Sequence, residues 1–70
     1  MKIDNEIQAQ EAIDLWRQDP LRAQLSNLQK GIESLELGQM YYEQKDNTQG
    51  GERLGRCIQI LVARKAELDK

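Results

Sequence analysis

Five apolar residues in the first half of the chain are spaced by four, three, four and three positions, and this spacing constrains the fold more than any other feature. They are Leu21, Leu25, Leu28, Ile32 and Leu35. The spacing is that of the a and d positions of a helix that buries a narrow apolar seam against another helix. Gln39 takes the next seam position. The pattern therefore predicts a helical hairpin or bundle rather than an extended coiled coil, which needs about three or four heptads.

A first helix is predicted before the seam, over residues 5–17. Asp4 and Asn5 are both possible N-caps, and Asn5 with Gln8 three residues later has the pattern of a capping box. The apolar residues of this segment follow the i, i+3, i+4, i+7 spacing of one helix face: Ala9, Ala12, Ile13 and Trp16. Trp16 is expected to supply most of the buried area of this helix. The alternative is that Trp16 is exposed and binds a partner.

The seam helix itself is predicted over residues 20–44. Asp19 and Pro20 mark its start, because proline suits the first helical position and the aspartate can cap the free amides. Gly31 and Gly38 lie on one flank of the seam, where a neighbouring backbone could approach closely. The alternative for Gly38 is that it ends or kinks the helix.

The second half of the chain predicts the other arm of a hairpin. Residues 45–51 contain no apolar side chain and end in two glycines, as in a turn. A third helix is predicted over residues 52–69, with three seam residues that face the first seam: Leu54, Ile58 and Leu61. A short polar turn favours antiparallel pairing of the two long helices. The predicted fold is all-α, a short N-terminal helix followed by an antiparallel helical hairpin, in one domain over residues 1–70.

Length and charge bear on the partners of such a chain. A domain of 70 residues is near the lower limit for a self-sufficient core, so burial against a partner or a second copy is expected. A formal net charge of −2 gives no reason to expect a nucleic-acid or anionic-membrane partner. Arg53, Arg56 and Arg64 nonetheless share one face of the third helix. A solvated face is the simpler interpretation and a phosphate-binding face is the alternative.

The sequence offers little chemistry for an enzyme. The chain has no histidine and one cysteine, Cys57, which excludes Ser-His-Asp and Cys-His arrangements, a structural zinc site and an internal disulfide. Cys57 is interpreted as a small apolar residue at the edge of a helix face. A non-enzymatic protein without a cofactor or metal is predicted.

A cytoplasmic location is predicted. The N-terminus lacks the apolar core of a signal peptide, and no segment approaches the roughly 20 apolar residues of a membrane span. A single cysteine also fits a reducing compartment.

A second apolar surface is predicted outside the seam. Leu37 and Tyr41 lie about 160–180° away from the seam at 100° per residue, and Met40 and Tyr42 extend this surface. The alternative is that the helix breaks at Gly38 and turns Leu37 and Tyr41 towards the hairpin. An apolar surface that the hairpin cannot cover is a candidate for partner binding. The predicted partner-binding residues are Trp16, Leu37, Met40, Tyr41 and Ile60.

The layout of the chain resembles that of the small co-chaperones of type III secretion needle proteins. The shared features are the length, the acidic N-terminal helix, and the two apolar seams joined by a polar turn that contains glycine. The resemblance implies a protein without enzymatic activity that pairs with a larger helical-repeat chaperone and keeps a needle subunit monomeric in the bacterial cytoplasm. It also implies that apolar residues outside the seam contact that chaperone: Leu37, Tyr41, Ile60 and Trp16.

The leading hypothesis is therefore a small cytoplasmic co-chaperone or assembly factor that binds a helical partner. One alternative is a structural homo-oligomer of phage or plasmid type that pairs through residues 37–42. The other is a small nucleic-acid-associated subunit that works through the three arginines.

Overall fold

The computed structural model describes residues 2–69, which form three helices: α1 (Glu6–Trp16), α2 (Leu21–Gln44) and α3 (Thr48–Leu68). The two long helices pair as an antiparallel hairpin, and α1 packs against both of them. The longest dimension is 38 Å, close to the length of a 24-residue helix at about 1.5 Å per residue. The predicted all-α fold with a helical hairpin is confirmed.

The start of α1 follows the predicted capping pattern. The Asn5 side-chain oxygen accepts a hydrogen bond from the backbone N–H of Gln8 at 2.8 Å. The Gln8 side-chain oxygen in turn accepts one from the backbone N–H of Asp4 at 2.7 Å. Reciprocal bonds of this kind satisfy amides that have no partner within the helix. In a usual capping box the Gln8 side chain would accept from the N-cap residue, Asn5. Here it accepts from the residue before it, so the chain that precedes α1 is also fixed to the helix.

The start of α2 differs from the prediction. Pro20 is the N-cap residue rather than the first helical residue, and no side chain caps the amides that follow. Asp19 therefore lies one position too early to reach them. Its backbone carbonyl instead accepts a hydrogen bond from the Gln24 side chain at 2.9 Å. The helix then continues without a break through Gly38, so the alternative that Gly38 ends it is wrong.

The third helix begins at Thr48, four residues before the predicted start at residue 52. The Asn47 side-chain oxygen accepts a hydrogen bond from the backbone N–H of Gly50 at 2.9 Å, which makes Asn47 the N-cap. The turn is reduced to residues 45–47, and Asp46 takes the left-handed backbone conformation there, with φ of 56°. Gly50 lies inside the first turn of α3, where an added Cβ would stand 2.9 Å from the Tyr42 ring.

The core lies where all three helices meet. Its buried apolar side chains come from α1, α2 and α3 in equal number: Ala9, Ala12, Ile13, Leu28, Ile32, Leu35, Leu54, Cys57 and Leu61. Gly31 and Gly38 allow α3 to approach, because added Cβ atoms would stand 3.0 Å from Leu61 Cδ1 and 2.8 Å from Leu54 Cδ1. The close approach predicted at these glycines is therefore present, and leucine side chains rather than backbone make it.

Three predicted seam residues are less buried than expected. Leu21 is 53% exposed, and Leu25 and Ile58 are half-buried. Arg64 donates a hydrogen bond to Gln24 across the hairpin, so Leu21 lies beyond this contact at the end of the hairpin, outside the core cluster where the three helices meet. The prediction that Leu21 is buried in the seam is wrong for this reason.

Candidate partner-binding surface

The arginine face of α3 holds the segment that leads into α1. The Arg53 Nε atom donates a hydrogen bond to the Asp4 carbonyl at 2.8 Å, and its guanidinium lies 3.5 Å from the Asp4 carboxylate. Arg56 pairs with the Glu6 carboxylate at 3.1 Å. The pKa of Glu6 is lowered by a hydrogen bond from its own backbone amide at the helix start, and further by Arg56. Arg53 and Arg56 therefore attach the start of α1 to α3.

The third arginine also makes contacts within the chain. Arg64 donates to the Gln24 side chain at 3.3 Å and lies 3.8 Å from the Glu67 carboxylate. Its side chain is mostly buried, whereas an arginine that binds a phosphate has to be accessible from solvent. The geometry of the three arginines thus supports a structural role more than a phosphate-binding one.

Trp16 and Ile60 lie at the margin of the core. Both are half-buried and pack against the buried cluster. The Trp16 Cη2 atom would stand 3.6 Å from a Cβ added at Gly31, so the indole lies over that glycine. The predicted role of Trp16 as the anchor of α1 agrees with this contact. Neither residue is among the exposed large apolar side chains of the described chain.

The other predicted partner-binding residues form an exposed surface on α2, which we call the outer face: Leu37, Met40 and Tyr41. Their side chains are 67%, 55% and 57% exposed, in that order. The i, i+3, i+4 spacing places them side by side on one helix surface, about opposite the core-facing stripe. Leu37 and Met40 line an open hollow with Glu33 and Glu36. The sequence prediction that residues 37, 40 and 41 lie outside the hairpin seam is confirmed.

The aromatic end of the outer face is ordered by its neighbours. The rings of Tyr41 and Tyr42 meet edge to face, with centroids 5.8 Å apart. Lys45 Nζ lies 5.8 Å from the Tyr41 ring centroid, within the range of a cation–π contact. Tyr42 itself packs against the core and accepts a hydrogen bond from Arg53 at 3.4 Å. The exposed tyrosine therefore has a preferred position before any partner binds.

Cys57 is fully buried among the core residues. Burial raises the pKa of its thiol, and the nearby carboxylate of Glu6 raises it further. A buried thiol with a raised pKa has little of the thiolate that nucleophilic chemistry requires. The sequence placed Cys57 at the edge of the helix face and Ile58 in the seam. The structure reverses them, because α1 docks on the flank of α3 that carries Cys57.

The reactivity of this thiol gives a first prediction. In the native protein at neutral pH, alkylation of Cys57 by iodoacetamide is expected to be at least roughly tenfold slower than in urea, because the thiol must be uncovered and deprotonated first. Mass spectrometry of timed samples measures the rate. Equal rates in the native and unfolded protein would contradict the burial of Cys57.

The described chain has no features of two other kinds of site, a metal centre and a membrane-spanning helix. Among residues 2–69, no three cysteine, aspartate or glutamate side chains are grouped so that they could hold a metal ion. None of the three helices combines the length and the apolar character that crossing a membrane requires. The outer face is therefore the feature of the described chain that most needs a functional explanation.

Comparison of the chain with protein-family models, with curated proteins and with solved structures finds no match.

Proposed function

We propose that the protein is a non-enzymatic interaction module, a small co-chaperone or assembly factor that binds a helical protein partner through the outer face. The observation that carries the proposal is the outer face itself: Leu37, Met40 and Tyr41 are adjacent and exposed. Adjacent exposed apolar side chains of this kind are typical of protein interaction sites. Single exposed apolar residues, such as Ile7 on α1, need no such explanation.

The scaffold behind the outer face suits this role. The opposite side of α2 places Leu28, Ile32 and Leu35 in the core, so the helix has a fixed position before binding. A partner that meets a rigid helix loses less conformational entropy on binding than one that must order it. Anchors at i, i+3 and i+4 are the pattern by which one helix docks into an apolar groove of another protein.

The resemblance to type III secretion co-chaperones supplies the specific form of the proposal. In that form the partner is a larger helical-repeat chaperone, the client is a needle subunit, and the complex forms in the bacterial cytoplasm. The support is the shared layout and the exposed position of Leu37 and Tyr41, two of the residues that the resemblance assigns to the partner contact.

Capture of a partner tests the proposal. Tagged wild-type protein is expected to retain a partner from a lysate of the cells that encode it. The Leu37→Asp/Tyr41→Asp double variant is expected to lose roughly tenfold or more of that capture, because apolar anchors dominate binding energy at interfaces. Quantitative mass spectrometry of the eluates measures the difference.

The control is Ile7→Asp, which adds one aspartate, where the double variant adds two, at an exposed apolar residue of another helix. Ile7 is 71% exposed, close to the value for Leu37. This variant is expected to capture the partner as wild type does. Circular dichroism of all the proteins checks that the helices remain. Retention of the partner by a folded Leu37→Asp/Tyr41→Asp protein would overturn the outer face as its binding site.

A further inference from the structure

The charges on either side of the outer face are arranged symmetrically. Glu33 comes four residues before Leu37, and Lys45 comes four residues after Tyr41. The midpoint of each pair, 33 with 45 and 37 with 41, is position 39. Glu33 and Lys45 are both exposed, so both charges are available to a neighbour. An acidic end, an apolar centre and a basic end therefore follow one another along α2 and its C-cap residue, Lys45.

A surface with this order matches itself when it is turned end to end. A twofold axis perpendicular to α2 at the level of position 39 brings Glu33 opposite Lys45 of a second copy. The same rotation brings Leu37 opposite Tyr41 of the second copy. Twofold dimers use one surface patch on both subunits, so a self-matching patch is what such an interface requires.

We propose that the outer face binds the outer face of a second copy of this chain, with the two α2 helices antiparallel. The proposal rests on the proposed function, since it requires the outer face to be an interface, and it adds a second occupant: another copy of this chain covers the face when the helical partner is not bound. In each dimer two Glu33–Lys45 pairs flank a centre made of two copies each of Leu37, Met40 and Tyr41.

The charges also select the antiparallel orientation. In a parallel pair of the same helices, Glu33 would face Glu33 and Lys45 would face Lys45. Like charges placed against each other disfavour one arrangement and thereby specify the other. The cation–π contact of Lys45 with Tyr41, at 5.8 Å between the Nζ atom and the ring centroid, keeps the lysine beside the apolar centre.

The size of the outer face sets the strength of the pairing. A stable dimer commonly buries about 800 Å² on each partner, and three exposed side chains with their neighbours cover less than that. The expected dimer is therefore reversible, with a dissociation constant in the micromolar range or weaker. Such a dimer covers the outer face at high concentration and releases it when the protein is dilute.

Reversing the charges tests both the partner and the orientation. The measurement is sedimentation velocity over a wide concentration range, on wild type, on Glu33→Lys, on Lys45→Glu and on an equimolar mixture of the two variants. Each variant alone is expected to dimerise roughly tenfold more weakly than wild type, because both charge pairs of the dimer become repulsive.

The mixture gives the decisive result. A Glu33→Lys chain carries lysine at both positions and a Lys45→Glu chain carries glutamate at both, so their antiparallel heterodimer regains two attractive pairs. The mixture is expected to dimerise within about twofold to threefold of wild type. Recovery on mixing separates a lost contact from a lost fold, because a variant that had unfolded would not recover.

The other outcomes separate this proposal from the proposed function. The Leu37→Asp/Tyr41→Asp protein is expected to stay monomeric, and Ile7→Asp is expected to dimerise as wild type does. A wild-type protein that stays monomeric at every concentration, or a mixture no stronger than its components, overturns the second-copy proposal. The proposed function survives that result if a different protein is captured through the outer face. If neither self-association nor capture depends on that face, both proposals fail.

Discussion

Replacement of Leu61 with alanine is expected to lower the free energy of unfolding by about 2–5 kcal/mol. Leu61 is fully buried, and its Cδ1 atom fills the space that the missing Cβ of Gly31 leaves open. Alanine would leave a cavity between α2 and α3, beside Gly31. A domain of this size has a total stability of about 4–10 kcal/mol, so this loss is a large fraction of the total. Urea denaturation followed by circular dichroism measures the loss.

The matched control for this prediction is the same substitution on the outer face. Leu37 is 67% exposed, and Leu37→Ala is expected to change the free energy of unfolding by no more than about 0.5 kcal/mol. The contrast separates a leucine that folds the hairpin from one that is free to bind a partner. Similar losses for the two variants would contradict that division of α2 into a core side and an outer face.

The hairpin was predictable because its signal is local. The spacing of Leu28, Ile32 and Leu35 determines which side of α2 faces the core, whatever the rest of the chain does. The exposure of Leu37 and Tyr41 follows from the same angular argument, since residues opposite a seam cannot enter it. Both the fold class and most of the candidate site could therefore be predicted from helical periodicity.

The exchange of Cys57 and Ile58 was not predictable from periodicity alone. The two residues lie about 100° apart on α3, and both border the stripe that begins at Leu54. Which of them is buried depends on the flank that α1 covers, a property of three helices together. Cys57 becomes fully buried because Ala9 and Ile13 of α1 join the same core cluster.

The role of the arginines required contacts between distant parts of the chain. Arg53 meets Asp4 and Arg56 meets Glu6, pairs that are 49 and 50 residues apart in the sequence. The available signal was charge complementarity, since Asp4 and Glu6 lie at the start of α1 and three arginines share one face of α3. The predicted start of α3 at residue 52 is late for a local reason: two glycines at 50–51 favour a turn, but the Asn47 side chain caps a helix that includes them.

The contact of α1 with the hairpin depends on small side chains. Ala9 and Ala12 are fully buried, and Ala9 belongs to the same cluster as Cys57. A larger side chain at position 9 would separate α1 from α3 or force the surrounding side chains out of their preferred rotamers. The ion pairs of Arg53 and Arg56 are partly or largely exposed and cannot compensate for that loss.

Ala9→Leu is therefore expected to destabilise the protein by about 1–3 kcal/mol, while Ala66→Leu, at an exposed alanine of α3, stays within about 0.5 kcal/mol of wild type. Because α1 covers the flank of α3 that carries Cys57, the variant is also expected to be alkylated at this thiol several-fold faster than wild type. Urea denaturation and the rate of iodoacetamide modification measure the two effects.

Faster alkylation with unchanged helicity means that α1 has detached while the hairpin persists. If alkylation stays slow and stability falls, Cys57 is protected by the hairpin alone, and the assigned role of α1 in covering it is wrong.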